Sequence, residues 1–139
     1  MDLKITTRQL VEEAEREIET VSAADAITRL GDSAVTVVDL RDIRELYREG
    51  KVPGAVHAPR GMLEFWVDPE SPYHRDIFAT GNAFLFYCQS GLRSALATKT
   101  VKDMGLAPIA HIGGGFRAWV DVGGPVKTVE PKKPKQKNK

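Results

Sequence analysis

The sequence predicts an α/β domain built around a mainly parallel sheet, and three observations predict it. Short β-branched or aromatic runs alternate with amphipathic stretches along the chain. Phe84-Leu85-Phe86-Tyr87-Cys88 is a continuous apolar run, the pattern of a strand covered on both faces. The clearest runs lead into turn or capping residues and then helical spacing, the order that parallel strands joined by helices require.

The elements follow in chain order. Thr6-Thr7-Arg8-Gln9 has the spacing of a capping box. Behind it Leu10, Val11, Ala14 and Ile18 form a narrow apolar stripe, expected to pack on the same chain. Ser22-Ala23-Ala24-Asp25 is a second start signal, for a short helix ending near Gly31. Val35–Val38 is a β-branched strand that ends at Asp39, and a polar helix spans 42–49 and stops at Gly50. Val52-Pro53-Gly54-Ala55-Val56 is a turn feeding a short strand. Pro69 and Pro72 interrupt the stretch from Gly61 to Asn82, where Met62–Trp66 has room for one helical turn.

After Cys88 a helix is expected to open at Ser94, with Leu96, Ala97, Thr100, Val101 and Met104 on one face. Gly105 ends it and Pro108 lies just beyond. Ile109–Ile112 is a further strand, Gly113-Gly114-Gly115 a turn, and Phe116–Val122 a last helix with Trp119 in the core. Three segments result: a helical N-terminal extension over 1–19, the domain over 20–126, and a Lys-rich tail over 127–139. The tail, with Pro131, Pro134 and almost nothing apolar, is expected to be disordered.

With 139 residues, 42% of them hydrophobic, the chain has room for one compact core. No apolar run approaches the ~20 residues of a membrane span, and the N-terminus lacks the pattern of a secretory signal. One cysteine excludes an internal disulfide framework and any multi-cysteine metal site, which points to the cytoplasm. The net charge of +1 conceals a mildly acidic body and the basic tail, so it names no nucleic-acid partner. The tail could contact anionic surfaces or simply be solvated. His57, His74 and His111 are too scattered for a metal site. Gly113–Gly115 lacks the Lys-Ser/Thr of a phosphate loop and fits tight packing instead.

Cys88 closes its strand immediately before the loop Gln89-Ser90-Gly91-Leu92-Arg93, with Ser94 next. Ligands in open α/β sheets gather outside the carboxyl ends of the strands. Gly91 permits a turn in which successive backbone N–H groups point inward, a cradle that favours negative charge at a helix N-terminus. Those dipoles, together with Arg93, would favour the thiolate and so raise the nucleophilic fraction of Cys88. The plainer alternative is an inert buried thiol; strand, glycine, arginine and helix in this order favour the reactive one.

At this loop the sequence resembles the single-domain rhodaneses, a family of sulfurtransferases. Residues 88–93 match the family's six-residue Cys-x-x-Gly-x-Arg loop. Val38-Asp39-Leu40-Arg41 resembles its strand-end Asp-x-Arg signature, and Gly50 to Pro59 its Gly-x-Ile-Pro-Gly-Ala segment. Gly113 to Trp119 resembles its closing Gly-Gly…Trp element. The resemblance implies a five-stranded, mainly parallel sheet with helices on both faces. It implies sulfane-sulfur transfer from thiosulfate or a similar donor to cyanide or a thiol, through a Cys88 persulfide and without metal or organic cofactor. Gln89, Ser90, Gly91, Leu92, Arg93 and Ser94 would form the cradle, Asp39 would brace it, and Arg41 would support the charges around it.

Several roles stay open. Arg93 could bind the donor's anionic oxygens or anchor the fold, and Ser94 could donate to the sulfur or cap the helix. The alternative for Asp39 and Arg41 is a surface ion pair; bracing is the favoured role for Asp39, and for Arg41 the two readings stand level. His111 is expected as a hydrogen-bonded core residue, and Phe65 and Trp66 as either pocket wall or core. Two other functions compete: a non-catalytic rhodanese-like binding module, and a phosphatase or arsenate reductase. The latter enzymes use a loop one residue longer and usually have His where this chain has Tyr87. A monomer is expected, with weak self-association left open.

Overall fold

The computed structural model describes residues 1–133. Five strands form one fully parallel sheet in the order β1-β5-β4-β2-β3. These are β1 (Glu19–Val21), β2 (Val35–Asp39), β3 (Val56–His57), β4 (Ala83–Tyr87) and β5 (Ile109–Ile112). The helices are α1 (Thr7–Glu17), α2 (Ala23–Thr28), α3 (Ile43–Glu49), α4 (Leu63–Val67), α5 (Leu92–Met104) and α6 (Gly115–Asp121).

The apolar run of β4 is sorted by the pleat. Leu85 and Tyr87 enter one core with Val21, Ala110, Ile112, Phe116 and Trp119, beneath α2 and α6. Phe84 and Phe86 enter the other, with Val38, Leu63, Ala97, Val101 and Ile109, beneath α4 and α5. Helices therefore cover both faces, and β4 at the centre of the sheet ends where the loop begins.

The helix starts agree with the capping residues. Thr6 and Gln9 form the reciprocal cap of α1, Ser22 caps α2, and Asp42 with Glu45 caps α3. Helix α1 packs on α5 through Val11, Ala14 and Ala95, flanked by Ile18 and Leu96, while Leu10 is 41% exposed.

Three expectations differ from the structure. Strand β1 falls where the sequence reading has only a link between two helices. Its side chains alternate too briefly to declare a strand: only Val21 of its three residues is buried. Helix α5 begins at Leu92 with Gly91 as its N-cap, not at Ser94. Its buried face is Ser94, Ala95, Ala97, Thr98 and Val101, and Met104 is exposed. Lys127, placed at the start of the tail, exchanges two backbone hydrogen bonds with Lys51. Residues 134–139 of the expected tail lie outside the described residues. Among the described residues no helix is long and apolar enough to cross a membrane.

Candidate active site

Cys88 is the first residue beyond β4, and its sulfur is buried at the N-terminus of α5. Gly91 adopts φ +99°, a conformation that would strain a residue with a Cβ. The turn directs its N–H onto Cys88 Sγ at 3.2 Å. Because the helix starts early, Ser94 lies inside its first turn, where an N–H has no partner within the helix. That N–H also donates to Sγ, at 3.3 Å, and the Ser94 hydroxyl lies 3.5 Å away. Two converging amides therefore face the sulfur, with the dipole of a thirteen-residue helix behind them. Gly91 and Ser94 supply the amide contacts to Sγ. Ser90 and Leu92 are exposed, on the outer side of the turn.

The glycine turn before α6 closes the other side of the loop. Phe116 N–H donates to Cys88 O at 2.8 Å and Arg117 N–H to Gln89 O at 3.1 Å. Gly115, at φ +61°, passes so close that a Cβ there would lie 2.7 Å from the Gln89 carbonyl carbon. The segment Gly113–Gly115 is thus close packing against the loop, and Trp119 is core.

A buried polar hub supports the cradle from the neighbouring strand. The pleat turns the Asp39 side chain under the sheet edge, where Arg41 Nε and Nη2 donate to its two carboxylate oxygens at 3.0 and 2.8 Å. Both side chains are fully buried, so this is not a surface pair. Arg41 also donates to Gln89 Oε1 at 3.1 Å and to Gly50 O at 2.8 Å, and its guanidinium stacks 4.3 Å from the Phe116 ring. Burial works against its charge, and the Asp39 carboxylate more than offsets that, so its pKa is raised. The contact with the loop belongs to Arg41; Asp39 acts through it.

Tyr87 completes the hub. Its hydroxyl donates to Asp39 Oδ2 at 2.6 Å and accepts from Val52 N–H at 3.1 Å. Burial and the adjacent carboxylate push its phenol far above the ordinary range, so it stays a donor. The sequence reading places Tyr87 in the buried strand, where phosphatases usually have His, without assigning its hydroxyl a partner, yet a tyrosine ending a buried strand needs one. His57 donates through Nε2 to Arg41 O at 2.6 Å and so belongs to the hub rather than to a pocket.

Arg93 pairs with α3: both terminal nitrogens donate to Glu45, at 2.8 and 2.9 Å. Those hydrogen bonds raise Arg93 and hold Glu45 below the usual carboxylate range. The side chain of Arg93 remains 42% exposed. Ser94 and His111 are both buried and joined by a hydrogen bond. Trp66 is half-buried under Arg75, and Phe65 is exposed against Tyr73.

Comparison with known proteins places this geometry. A structure from Rhodopseudomonas palustris, described as a protein of unknown function and possible tyrosine phosphatase, is 52% identical. It superposes with a TM-score of 0.89, over 91% of this chain and 98% of that one. A human thiosulfate:glutathione sulfurtransferase is 26% identical over 108 residues, 73% of this chain and 93% of the relative. A mouse thiosulfate sulfurtransferase/rhodanese-like domain-containing protein 3 is 26% identical over 96 residues, 66% of this chain. The chain spans 61% of that mouse protein, and 43% of a Bacillus subtilis relative that is 31% identical over 88 residues. The profile of the rhodanese-like domain matches residues 22–121, from the cap of α2 to the end of α6. With its parallel five-stranded sheet and its cysteine at the mouth of β4, the chain belongs to the rhodanese-like domain family.

Proposed function

We propose that the chain is a sulfurtransferase that carries a sulfane sulfur on Cys88, taking it from thiosulfate or a similar donor. The observation that carries this reading is the pair of amides, from Gly91 and Ser94, that converge on Cys88 Sγ. In the first step the Cys88 thiolate attacks the outer sulfur of thiosulfate. A Cys88–sulfur bond forms, the donor's S–S bond breaks, and sulfite leaves with the electron pair. The terminal sulfur of the resulting persulfide is anionic, and the amides and helix terminus that face Sγ stabilise charge there. In the second step cyanide or a thiolate attacks that terminal sulfur, the persulfide S–S bond breaks, and the Cys88 thiolate returns. One transfer is thereby split into two easier ones.

Other residues take supporting parts in this reading. Arg41 fixes the loop through Gln89, and Asp39 and Tyr87 fix Arg41. Arg93 presents its exposed edge to the anionic donor while Glu45 holds it in place. No metal or organic cofactor enters the steps, and the enzyme works in the cytoplasm as a monomer. Mass spectrometry after thiosulfate treatment should find one added sulfur on the native protein and none on Cys88→Ser. Equal uptake by both would overturn the assignment.

Phosphomonoester hydrolysis is the second reading, favoured by the description of the 52%-identical Rhodopseudomonas palustris protein. One feature weighs against it: the loop from Cys88 to Arg93 is one residue shorter than a phosphatase loop. Hydrolysis of an aryl phosphate well above the Cys88→Ser level would reinstate it. A chain that loads no sulfur but captures a protein partner tightly would instead be a binding module.

A further inference from the structure

Behind the cysteine, on the side away from the hub, three further side chains stand in line. Strands β4, β5 and β1 bring Phe86, His111 and Thr20 into register, so His111 and Thr20 share a sheet face. Ser94 comes down onto that face from α5. The Ser94 hydroxyl is 3.5 Å from Cys88 Sγ and 2.9 Å from His111 Nδ1, and His111 Nε2 is 3.1 Å from Thr20 Oγ1. Cys88, Ser94 and His111 are buried, whereas Thr20 is exposed on the edge strand. The line therefore runs from the sulfur to solvent.

Both ring nitrogens of His111 meet hydroxyls, groups that can donate or accept. An imidazole so placed can exchange tautomers without gaining net charge. Burial pushes His111 down to about 4, which keeps it neutral near neutral pH. Each nitrogen of the buried imidazole thus has a hydroxyl partner.

We propose that His111 is a positioning residue for Cys88: acting through Ser94, it sets the proton on the sulfur, and with Thr20 it conducts that proton to solvent. The steps balance. Cys88 S–H gives its proton to Ser94 Oγ, which passes its own to His111 Nδ1. His111 Nε2–H passes its proton to Thr20 Oγ1, which releases its own to water. At the end Cys88 is a thiolate and the Ser94 hydroxyl donates to it. His111 Nδ1–H now donates to Ser94, and Thr20 donates to Nε2. The imidazole is neutral before and after. This rests on the sulfurtransferase reading only in that a thiolate is useful to that chemistry.

The test is the rate of Cys88 alkylation by iodoacetamide near neutral pH, which needs no sulfur donor. It is measured on wild type, Ser94→Ala, His111→Gln, Thr20→Val and the double variant Ser94→Ala/His111→Gln. Loss of a hydrogen bond to a charged sulfur, partly offset by the higher intrinsic reactivity of a more basic thiolate, should slow Ser94→Ala and His111→Gln about fivefold. The double variant should be no slower than Ser94→Ala, because His111 acts through the hydroxyl. A packing role would instead make the two losses multiply, and that result overturns the proposal, as does a wild-type rate no higher than that of Ser94→Ala. If His111→Gln does not melt cooperatively, the exposed Thr20→Val decides: about twofold slowing supports the path, and an unchanged rate overturns it. Coupled alkylation rates in a protein that never loads sulfur would leave this inference standing and sink the proposed function alone.

Discussion

Replacing Arg41 by Met removes the guanidinium while keeping an unbranched apolar stem in the core. The Asp39 carboxylate then loses the donors at 3.0 and 2.8 Å, and keeps only the Arg41 backbone N–H, which Met also supplies, and the Tyr87 hydroxyl. Gly50 O and Gln89 Oε1 lose a donor as well. Both members of the pair are fully buried, so water does not screen the loss. Stranding one charge of a buried pair costs about 3–5 kcal/mol, against a total stability of roughly 5–15 kcal/mol. For a domain of this size the melting temperature should fall by about 10–20 °C. The control is Arg44→Met. Arg44 Nε pairs with Asp42 Oδ1 at 2.9 Å, but the two side chains are 80% and 48% exposed, and melting should not move. A second arm, Asp39→Asn/Arg41→Met, should recover part of the loss because the stranded charge is gone. Thermal and urea melts followed by circular dichroism read all three. The reasoning fails if Arg41→Met melts like Arg44→Met, or if adding Asp39→Asn lowers stability further.

Further outcomes follow from the same contacts. Gly115→Ala combines φ +61° with a Cβ 2.7 Å from the Gln89 carbonyl carbon, and should cost more than about 2 kcal/mol and impair sulfur loading. Gly31→Ala, at φ +85° but with open space around it, should cost only about 1 kcal/mol in the same melts. Since folding lowers His111 from 6.5 to about 4, its contribution is complete above pH 6.5 and is lost as pH falls toward 4. It amounts to at most about 3 kcal/mol, so urea melts of His111→Gln should show a flatter pH slope across that window. Glu45 is likewise held below its ordinary 4.5 by Arg93, so the pair stabilises above that pH and fades below it. Glu45→Gln should lower stability at neutral pH by about 1 kcal/mol or less and converge with wild type in acid.

What the sequence made legible was whatever is written over short spans. The loop from Cys88 to Arg93, the capping residues Thr6, Ser22 and Asp42, and the glycine turn before Trp119 are local patterns with local causes. The parts that stayed hidden depend on residues distant in sequence. Strand β1 is three residues long with one buried side chain, and only its pairing with β5 makes it a strand. Ser94 carries the chemistry of a helix cap, but the left-handed turn at Gly91 starts the helix two residues earlier and frees the Ser94 amide for the sulfur. Asp39 and Arg41 were visible as a pair, yet which of them touches the loop depends on Gln89, 48 positions away. Arg93 is legible as a charged loop residue, yet nothing in its own segment announces its partner Glu45, 48 positions away.

The two main-chain bonds between Lys51 and Lys127 sit one residue past Gly50, whose carbonyl anchors Arg41. Gly50 is itself covered, with Val126 and Lys127 so near that a Cβ would lie 2.6 Å from Val126 Cγ1. The final stretch of chain thus works as a hem, stitched over the turn that the guanidinium grips. Trimming at Val126 unpicks that stitch and loosens the reactive loop from a distance. Cargo fused after Glu130 leaves it sewn.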